Sequence, residues 1–204
     1  KEEQYFEPPK SFSDQALMND PTMRERFGEK NFPECFREYA DMLSWFTPYQ
    51  QVLDTSNPPF WKWFTGGKLN ASYNCIDRHL AEHRNKAAFI FVGEPEDDAP
   101  YAMSYQELYN RVNEMAALLQ GEYGFKAGDR VTLHLPMTLE LPITMLACAR
   151  LGVIHSQVFG GFSGSACADR IQDSGSRHLI TIDAYWRSGK LIDHKQNADI
   201  AVKK

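Results

Sequence analysis

The segment SQVFGGFSGSACADRIQD, residues Ser156–Asp173, decides the fold, because a strand-like run, two adjacent glycines and a helix-like run follow one another directly. Gly160 and Gly161 end the apolar run, and Ser163 is a residue that favours the cap position of a helix. Glycine lets the backbone approach another group without a Cβ in the way. The segment therefore predicts a strand, a tight turn and a helix in succession.

The same alternation of strand and helix continues on both sides of this segment. Further strand and helix patterns cover residues 86–93, 104–120, 130–136, 139–152 and 176–183. Ser104 and Glu107 form a capping box before the first of these helices. In the strand pattern at 130–136, Val131, Leu133 and Leu135 alternate on one face. We expect an α/β fold, in which a parallel sheet has helices on both faces.

The N-terminal part of the chain has a different composition. Residues 1 to about 60 are rich in proline, charged and aromatic residues, with one amphipathic helix pattern in which Phe36, Tyr39, Ala40 and Leu43 share a face. We expect residues 1–85 to form an extension, mostly irregular or helical, that wraps over the domain. Residues 86–204 are expected to form an incomplete α/β domain, because the sequence stops within a helical segment.

Composition argues against several kinds of partner. The chain has 22 Lys and Arg against 27 Asp and Glu, a net charge of -5, and no basic stripe that would bind nucleic acid. Its four cysteines have no C-x-x-C spacing, which favours reduced thiols and the cytoplasm. The first residues lack the apolar region of a secretory signal, and no run of about 18 apolar residues predicts a membrane span.

The double glycine is the first candidate for a binding site. In open parallel sheets, ligands bind beyond the carboxyl ends of the strands, where Gly160 and Gly161 are expected to lie. The start of the following helix carries a partial positive charge that suits phosphate. The alternative is a tight turn from strand to helix with no ligand.

The basic turn RSGK is the second candidate. Ser188 and Gly189 separate Arg187 from Lys190, and two cations on a short turn can converge on one phosphate. The alternative is a basic turn exposed to solvent. Adjacent parallel strands would bring this turn and the double glycine to the same edge of the sheet.

Other polar residues favour structural interpretations. His79 and His83 have the spacing of a helical metal pair but lack the H-E-x-x-H pattern, so we interpret them as surface or packing histidines. Ser163 lacks the glycine spacing of a nucleophile elbow, which leaves it as a helix cap. His134 and His155 lie in strand patterns and are expected in or near the core. We expect no metal site and no catalytic residue in this sequence.

Several longer segments closely resemble successive blocks of AMP-forming acetyl-CoA synthetases. These blocks are residues 63–79, 135–173 and 180–190, and residues 40–56 resemble the N-terminal extension of the same family. The resemblance implies a member of the adenylate-forming superfamily. Such enzymes react a carboxylic acid with MgATP to give an acyl-adenylate and pyrophosphate, and CoA then displaces AMP to give the thioester.

The resemblance also implies roles for both candidate turns. Phe159, Gly160 and Gly161 would line the approach of the adenine and pantetheine parts of CoA. Arg187 and Lys190, with Ser188 and Gly189 between them, would contact the region of the CoA 3'-phosphate.

The family's motifs for phosphoryl chemistry do not occur in this sequence. They are the Ser/Thr/Gly-rich loop that ends in Lys, the acidic magnesium motif, the carboxylate for the ATP ribose and the domain with the catalytic lysine. The acyl pocket is also missing. ATP and Mg²⁺ are therefore expected to bind outside these residues, and the chain alone is expected to be inactive and to lack a C-terminal part.

Two alternative functions remain open. The protein could act on propionate or medium-chain acids rather than acetate, as a broader acyl-CoA synthetase. It could also be a non-catalytic module that binds CoA. The residues that follow Lys204 would discriminate, since a strand and the Gly-rich loop favour the ligase and a stop codon favours the module.

Overall fold

The computed structural model describes residues 6–95 and 98–204, so the first five residues of the predicted extension lie outside the described residues. The chain divides into two compact units, Lys1–Lys68 and Leu69–Lys204. Among the described residues, no helix is long and apolar enough to cross a bilayer.

The N-terminal unit contains short elements and a small hairpin. Its helices are α1 (Lys10–Ser13), α2 (Met23–Arg26) and α3 (Arg37–Ala40), with 3₁₀ turns at Glu29–Asn31 and Glu34–Phe36, and its antiparallel strands are β1 (Gln51–Asp54) and β2 (Lys62–Thr65).

The amphipathic helix predicted for the N-terminal unit is shorter than the sequence pattern indicates. The 3₁₀ turn at Glu34–Phe36 leads into α3, which ends at Ala40, so Leu43 lies beyond the helix. Ala40 is buried, whereas Tyr39 and Leu43 are 47% and 43% exposed. The aromatic rings pack on β2, because Phe36 and Phe32 meet Trp63 edge to face at centroid distances of 5.3 and 5.9 Å. These tertiary ring contacts outweigh the helical periodicity.

The C-terminal unit contains the longer elements. Its helices are α4 (Ala71–Cys75), α5 (Leu80–His83), α6 (Tyr105–Gly121), α7 (Glu140–Leu151), α8 (Gly164–Ser174) and α9 (His194–Lys203), with a 3₁₀ turn at Asp77–His79. Its strands are β3 (Ala87–Phe91), β4 (Tyr101–Ser104), β5 (Arg130–Leu135), β6 (Ile154–Phe159), β7 (His178–Thr181), β8 (Ala184–Arg187) and β9 (Lys190–Asp193).

The central sheet of this unit is parallel, as predicted. Strand β5 lies between β6 and β7, and its last residue, Leu135, is in register with Phe159 at the end of β6. Val131, Leu133 and Leu135 are buried in one core cluster with residues of α6 and α7. On the other face, Val158 of β6 packs against buried residues of α8 and α9. Helices therefore cover both faces, and the predicted α/β fold is confirmed.

The remaining strands form antiparallel pairs outside this sheet. The strand pattern at residues 86–93 corresponds to β3, which is exposed or half-buried along its length rather than buried and which pairs antiparallel with β4. Strand β8 pairs antiparallel with β9. Parallel strands need a long crossover connection, usually a helix. The short segments that join β3 to β4 and β8 to β9 permit only antiparallel pairing.

The helix caps agree with the sequence analysis. The Ser104 hydroxyl accepts a hydrogen bond from the Glu107 N–H at 3.1 Å, and the Ser163 hydroxyl accepts one from the Ala166 N–H at 3.3 Å. Gly152 ends α7 in the left-handed conformation with φ of 74°.

Helices α8 and α9 approach closely where α8 begins. A Cβ at Gly164 would lie 2.5 Å from the Asn197 carbonyl oxygen and 2.7 Å from Cβ of Ile200. The absence of a side chain at Gly164 therefore sets the spacing of these two helices.

Gly164→Ala is expected to lower the free energy of unfolding by about 1–3 kcal/mol, because the methyl group forces backbone atoms of α9 away. Urea unfolding of the chain measures this change. Gly121→Ala is the matched control, since nothing lies within 4 Å of a Cβ at this helical position. Gly121→Ala should leave the free energy of unfolding unchanged or raise it. Equal losses in both variants would contradict the account.

His134 lies on the face of β5 that α8 and α9 cover. It is fully buried, and its ring centroid is 4.1 Å from that of His194. Burial, together with the neighbouring His194, lowers the pKa of His134 from 6.5 to about 4. His134 is therefore neutral in the folded protein near neutral pH, and its predicted place in the core is confirmed.

This buried histidine should make stability depend on pH. The unfolded state binds a proton near pH 6.5 and the folded state only near pH 4, so stability is complete above 6.5 and is lost as the pH falls toward 4. The loss attributable to His134 should approach about 1 kcal/mol per pH unit in that window. Urea unfolding of wild type and His134→Leu across this window measures it. A variant with an unchanged slope would contradict the assignment.

Candidate functional site

The double glycine lies where the ends of β5 and β6 meet. A Cβ on Gly160 would lie 3.1 Å from Cα and 3.2 Å from N of Pro136, the residue that follows β5. Those atoms belong to the backbone, which cannot move aside as a flexible side chain can. The first glycine is therefore explained by a close approach within the protein.

The second glycine makes room for a cation. A Cβ on Gly161 would lie 2.1 Å from Nη1 of Arg187 and 2.6 Å from Cε1 of Phe159. The guanidinium carbon of Arg187 lies 5.2 Å from the centroid of the Phe159 ring. The turn thus holds Arg187 beside an aromatic ring, in a cation–π contact.

Tyr185 joins the β8–β9 hairpin to the double glycine. Its hydroxyl donates a hydrogen bond to the Gly160 carbonyl at 3.2 Å, and its ring meets His194 edge to face at 5.2 Å. Tyr185 and Arg187 are two residues apart in a strand, which puts them on the same face. The sequence analysis missed Tyr185, although this spacing was a usable signal.

A cavity of about 530 Å³ opens at this end of the sheet. Four of the predicted residues line it, namely Phe159, Gly160, Gly161 and Arg187. Phe159 is half exposed and presents aromatic surface to it. The lining also includes residues that sequence reasoning missed, among them Glu94, Asp98, Met137, Tyr185 and Trp186.

The rest of the basic turn lies outside the cavity lining. Lys190 is paired with Arg187 across the hairpin, and Ser188 and Gly189 form the two-residue turn with φ of 52° and 69°. The structure therefore brings Arg187, but not Ser188, Gly189 or Lys190, to the double glycine.

Among the described residues that line the cavity, Arg187 is the cation, and Glu94 and Asp98 are the carboxylates. No described carboxylate lies within ion-pair distance of its guanidinium, whereas Arg150 in the same unit forms a double hydrogen bond with Asp77 at 3.0 and 2.5 Å. A guanidinium stays charged at any pH that a folded protein tolerates. Arg187 is thus available to an anion that enters the cavity.

The histidine pair lies elsewhere in this unit. The rings of His79 and His83 stack with centroids 6.2 Å apart, and both rings pack near Tyr105. Across residues 6–95 and 98–204, no group of three or more His, Cys, Asp or Glu side chains is arranged to hold a metal ion.

Cys35, Cys75, Cys148 and Cys167 are free cysteines. Cys148 and Cys167 are buried, and burial raises the pKa of both thiols, that of Cys148 to about 11. Both are therefore thiols rather than reactive thiolates near neutral pH.

The geometry of the cavity suits a ligand with both an anionic group and a flat ring. Arginine can donate two parallel hydrogen bonds to a phosphate. The half-exposed ring of Phe159 offers aromatic surface beside that charge. Nucleotides and their derivatives combine these two features.

Two family models match the chain. The model described as AMP-binding enzyme matches residues 76–204, and the model described as acetyl-coenzyme A synthetase N-terminus matches residues 23–75. The first match contains the whole cavity lining.

Curated relatives carry the name acetyl-coenzyme A synthetase. The chain is 48% identical to a protein of Pyrobaculum arsenaticum over 86% of the chain and 27% of the relative. It is 44% identical to a protein of Helicobacter acinonychis over 91% of the chain and 28% of the relative. For a protein of Pasteurella multocida, the identity is 41% over 99% of the chain and 31% of the relative.

These matches confirm the resemblance that the sequence blocks predicted. The chain spans between a quarter and a third of the length of these relatives. Since the AMP-binding enzyme model covers well over half of its residues, the chain belongs to the family of AMP-binding enzymes.

Proposed function

We propose that this protein is an AMP-forming acid–CoA ligase and that its cavity receives the nucleotide end of CoA. In this reaction, a short carboxylic acid such as acetate reacts with ATP to give an acyl-adenylate and pyrophosphate. The thiol of CoA then attacks the acyl carbon and AMP leaves. The relatives named acetyl-coenzyme A synthetase support this proposal, and acetate is the acid that their name indicates.

The observation that carries the proposal is the placement of Arg187. Its charge has no carboxylate partner among the described residues, and it lies at the double glycine in an open cavity. The 3'-phosphate of CoA carries close to two negative charges near neutral pH, and a guanidinium binds such a group with two hydrogen bonds. The half-exposed ring of Phe159 offers surface to the adenine.

Other parts of the proposal concern groups that this sequence does not hold. ATP and Mg²⁺ are assigned to motifs that do not occur in these residues. The four unpaired cysteines fit a reducing compartment, which supports a place in the cytoplasm.

The reaction is tested with the full-length gene product. We expect acid-dependent pyrophosphate release from ATP and Mg²⁺ with acetate, and AMP and thioester once CoA is added. A panel of formate, acetate, propionate, butyrate and longer acids identifies the substrate. The 204-residue chain alone is the control and should release no pyrophosphate.

Each outcome of this panel decides between functions. A preference for propionate or a longer acid would replace the acetate enzyme with a broader acyl-CoA synthetase. If the folded protein binds CoA but releases no pyrophosphate with any acid, it is a non-catalytic CoA-binding module and the ligase proposal fails.

Arg187→Ala separates the two half-reactions. It should raise the KM for CoA about 10- to 100-fold, because a charge-assisted bidentate contact is lost. Pyrophosphate release measured without CoA should stay close to that of wild type, since Arg187 has no role in adenylate formation in this proposal.

Arg170→Ala is the matched control for charge. Arg170 lies in α8 over the ring of Phe162 at 4.3 Å and is not part of the cavity lining. It should leave the KM for CoA within about twofold of wild type. If Arg187→Ala slows adenylate formation as much as thioester formation, the assignment of Arg187 to CoA is wrong.

A further inference from the structure

One carboxylate of the cavity wall contacts the basic turn. Glu94 follows β3 in the chain, and its Oε1 accepts a hydrogen bond from the Gly189 N–H at 2.6 Å, across 95 residues of sequence. This carboxylate therefore binds the backbone of the two-residue turn that separates Arg187 from Lys190.

The contact shows that the turn amide donates to an anionic oxygen. The Gly189 N–H has the cations Arg187 and Lys190 on either side of it in the chain, and turn amides with such neighbours bind anionic oxygens well. Glu94 accepts a hydrogen bond from the Gly189 amide. Neither Arg187 nor Lys190 forms an ion pair with a described carboxylate. The protein's own carboxylate thus sits where an oxygen of a phosphate would find an N–H donor.

We infer that Glu94 is a specificity-determining residue that competes with the 3'-phosphate of CoA for the Gly189 N–H. The inference rests on the proposed function, in which Arg187 faces that phosphate. The negative charge of Glu94 lowers the affinity for CoA. It thereby reduces the difference in affinity between CoA and dephospho-CoA, which lacks the 3'-phosphate. Binding of CoA then requires the Glu94 carboxylate to leave the turn.

Glu94→Gln tests this directly, because the amide oxygen can still accept from Gly189 while the charge is removed. One unit charge a few ångströms from the phosphate in water changes affinity by about fivefold. We therefore expect the Kd for CoA to fall about fivefold and the Kd for dephospho-CoA to stay within about twofold. The increase in CoA affinity of Glu94→Gln over wild type should become smaller as the salt concentration rises from about 0.05 M to about 0.5 M.

Asp98→Asn is the matched control. Asp98 lines the same cavity, but its Oδ2 lies near Gly93 and makes no hydrogen bond to the described residues of the turn. The variant removes the same charge from the same wall, but away from the turn. The ratio of the Kd for CoA to the Kd for dephospho-CoA should therefore stay within about twofold of wild type.

Titration calorimetry of the full-length protein with CoA and dephospho-CoA gives all of these values. If Glu94→Gln changes both Kd values equally, weakens CoA, or matches Asp98→Asn, then Glu94 does not compete with the phosphate and the inference fails. If wild type binds neither compound, or both equally well while Arg187→Ala has no effect, the proposed function itself fails. The two failures are therefore distinguishable.

Discussion

The parallel pairing of β5 with both of its neighbours is the constraint on which the rest of the site depends. Pairing in register brings Leu135 beside Phe159 at the same edge of the sheet. The chain after β6 then has to turn against the backbone after β5, and Gly160 fits there because a Cβ would lie 3.1 Å from Cα of Pro136. The same edge receives the β8–β9 hairpin through the hydrogen bond from Tyr185 to Gly160. The cavity is thus a consequence of strand register.

The two glycines are explained by different contacts. Gly160 is explained by packing within the protein, so it gives no information about a ligand. Gly161 leaves room for Arg187, whose guanidinium has a ring beside it and no described carboxylate paired with it. Water solvates an unpaired guanidinium in an open cavity, so the charge does not incur the desolvation cost of burial. A phosphate can replace that water. The charge on Arg187, rather than the glycine pair, is therefore the argument for a ligand.

The sequence predicted those features that depend on local patterns. The cap at Ser163 and the alternation of Val131, Leu133 and Leu135 follow from short-range chemistry. Arg187 meets the double glycine as predicted, but it does so from the antiparallel β8–β9 hairpin and not from a strand of the parallel sheet. The contact of Glu94 with Gly189 could not be predicted, because it joins residues 95 apart through a loop that has no periodicity. The predicted helix around Phe36 is shorter than its periodicity indicates, because ring packing on Trp63 outweighs local propensity. The role of Lys190 stays a prediction.

Hydrogen exchange of the full-length protein with and without CoA tests the central claim most directly, because bound ligand slows the exchange of the amides that it covers. The account predicts protection in peptides that contain residues 157–163 and 184–191, with dephospho-CoA protecting the second peptide less. Protection elsewhere that leaves both peptides unchanged would show that CoA binds at a different place, and the assignment of the cavity would be wrong.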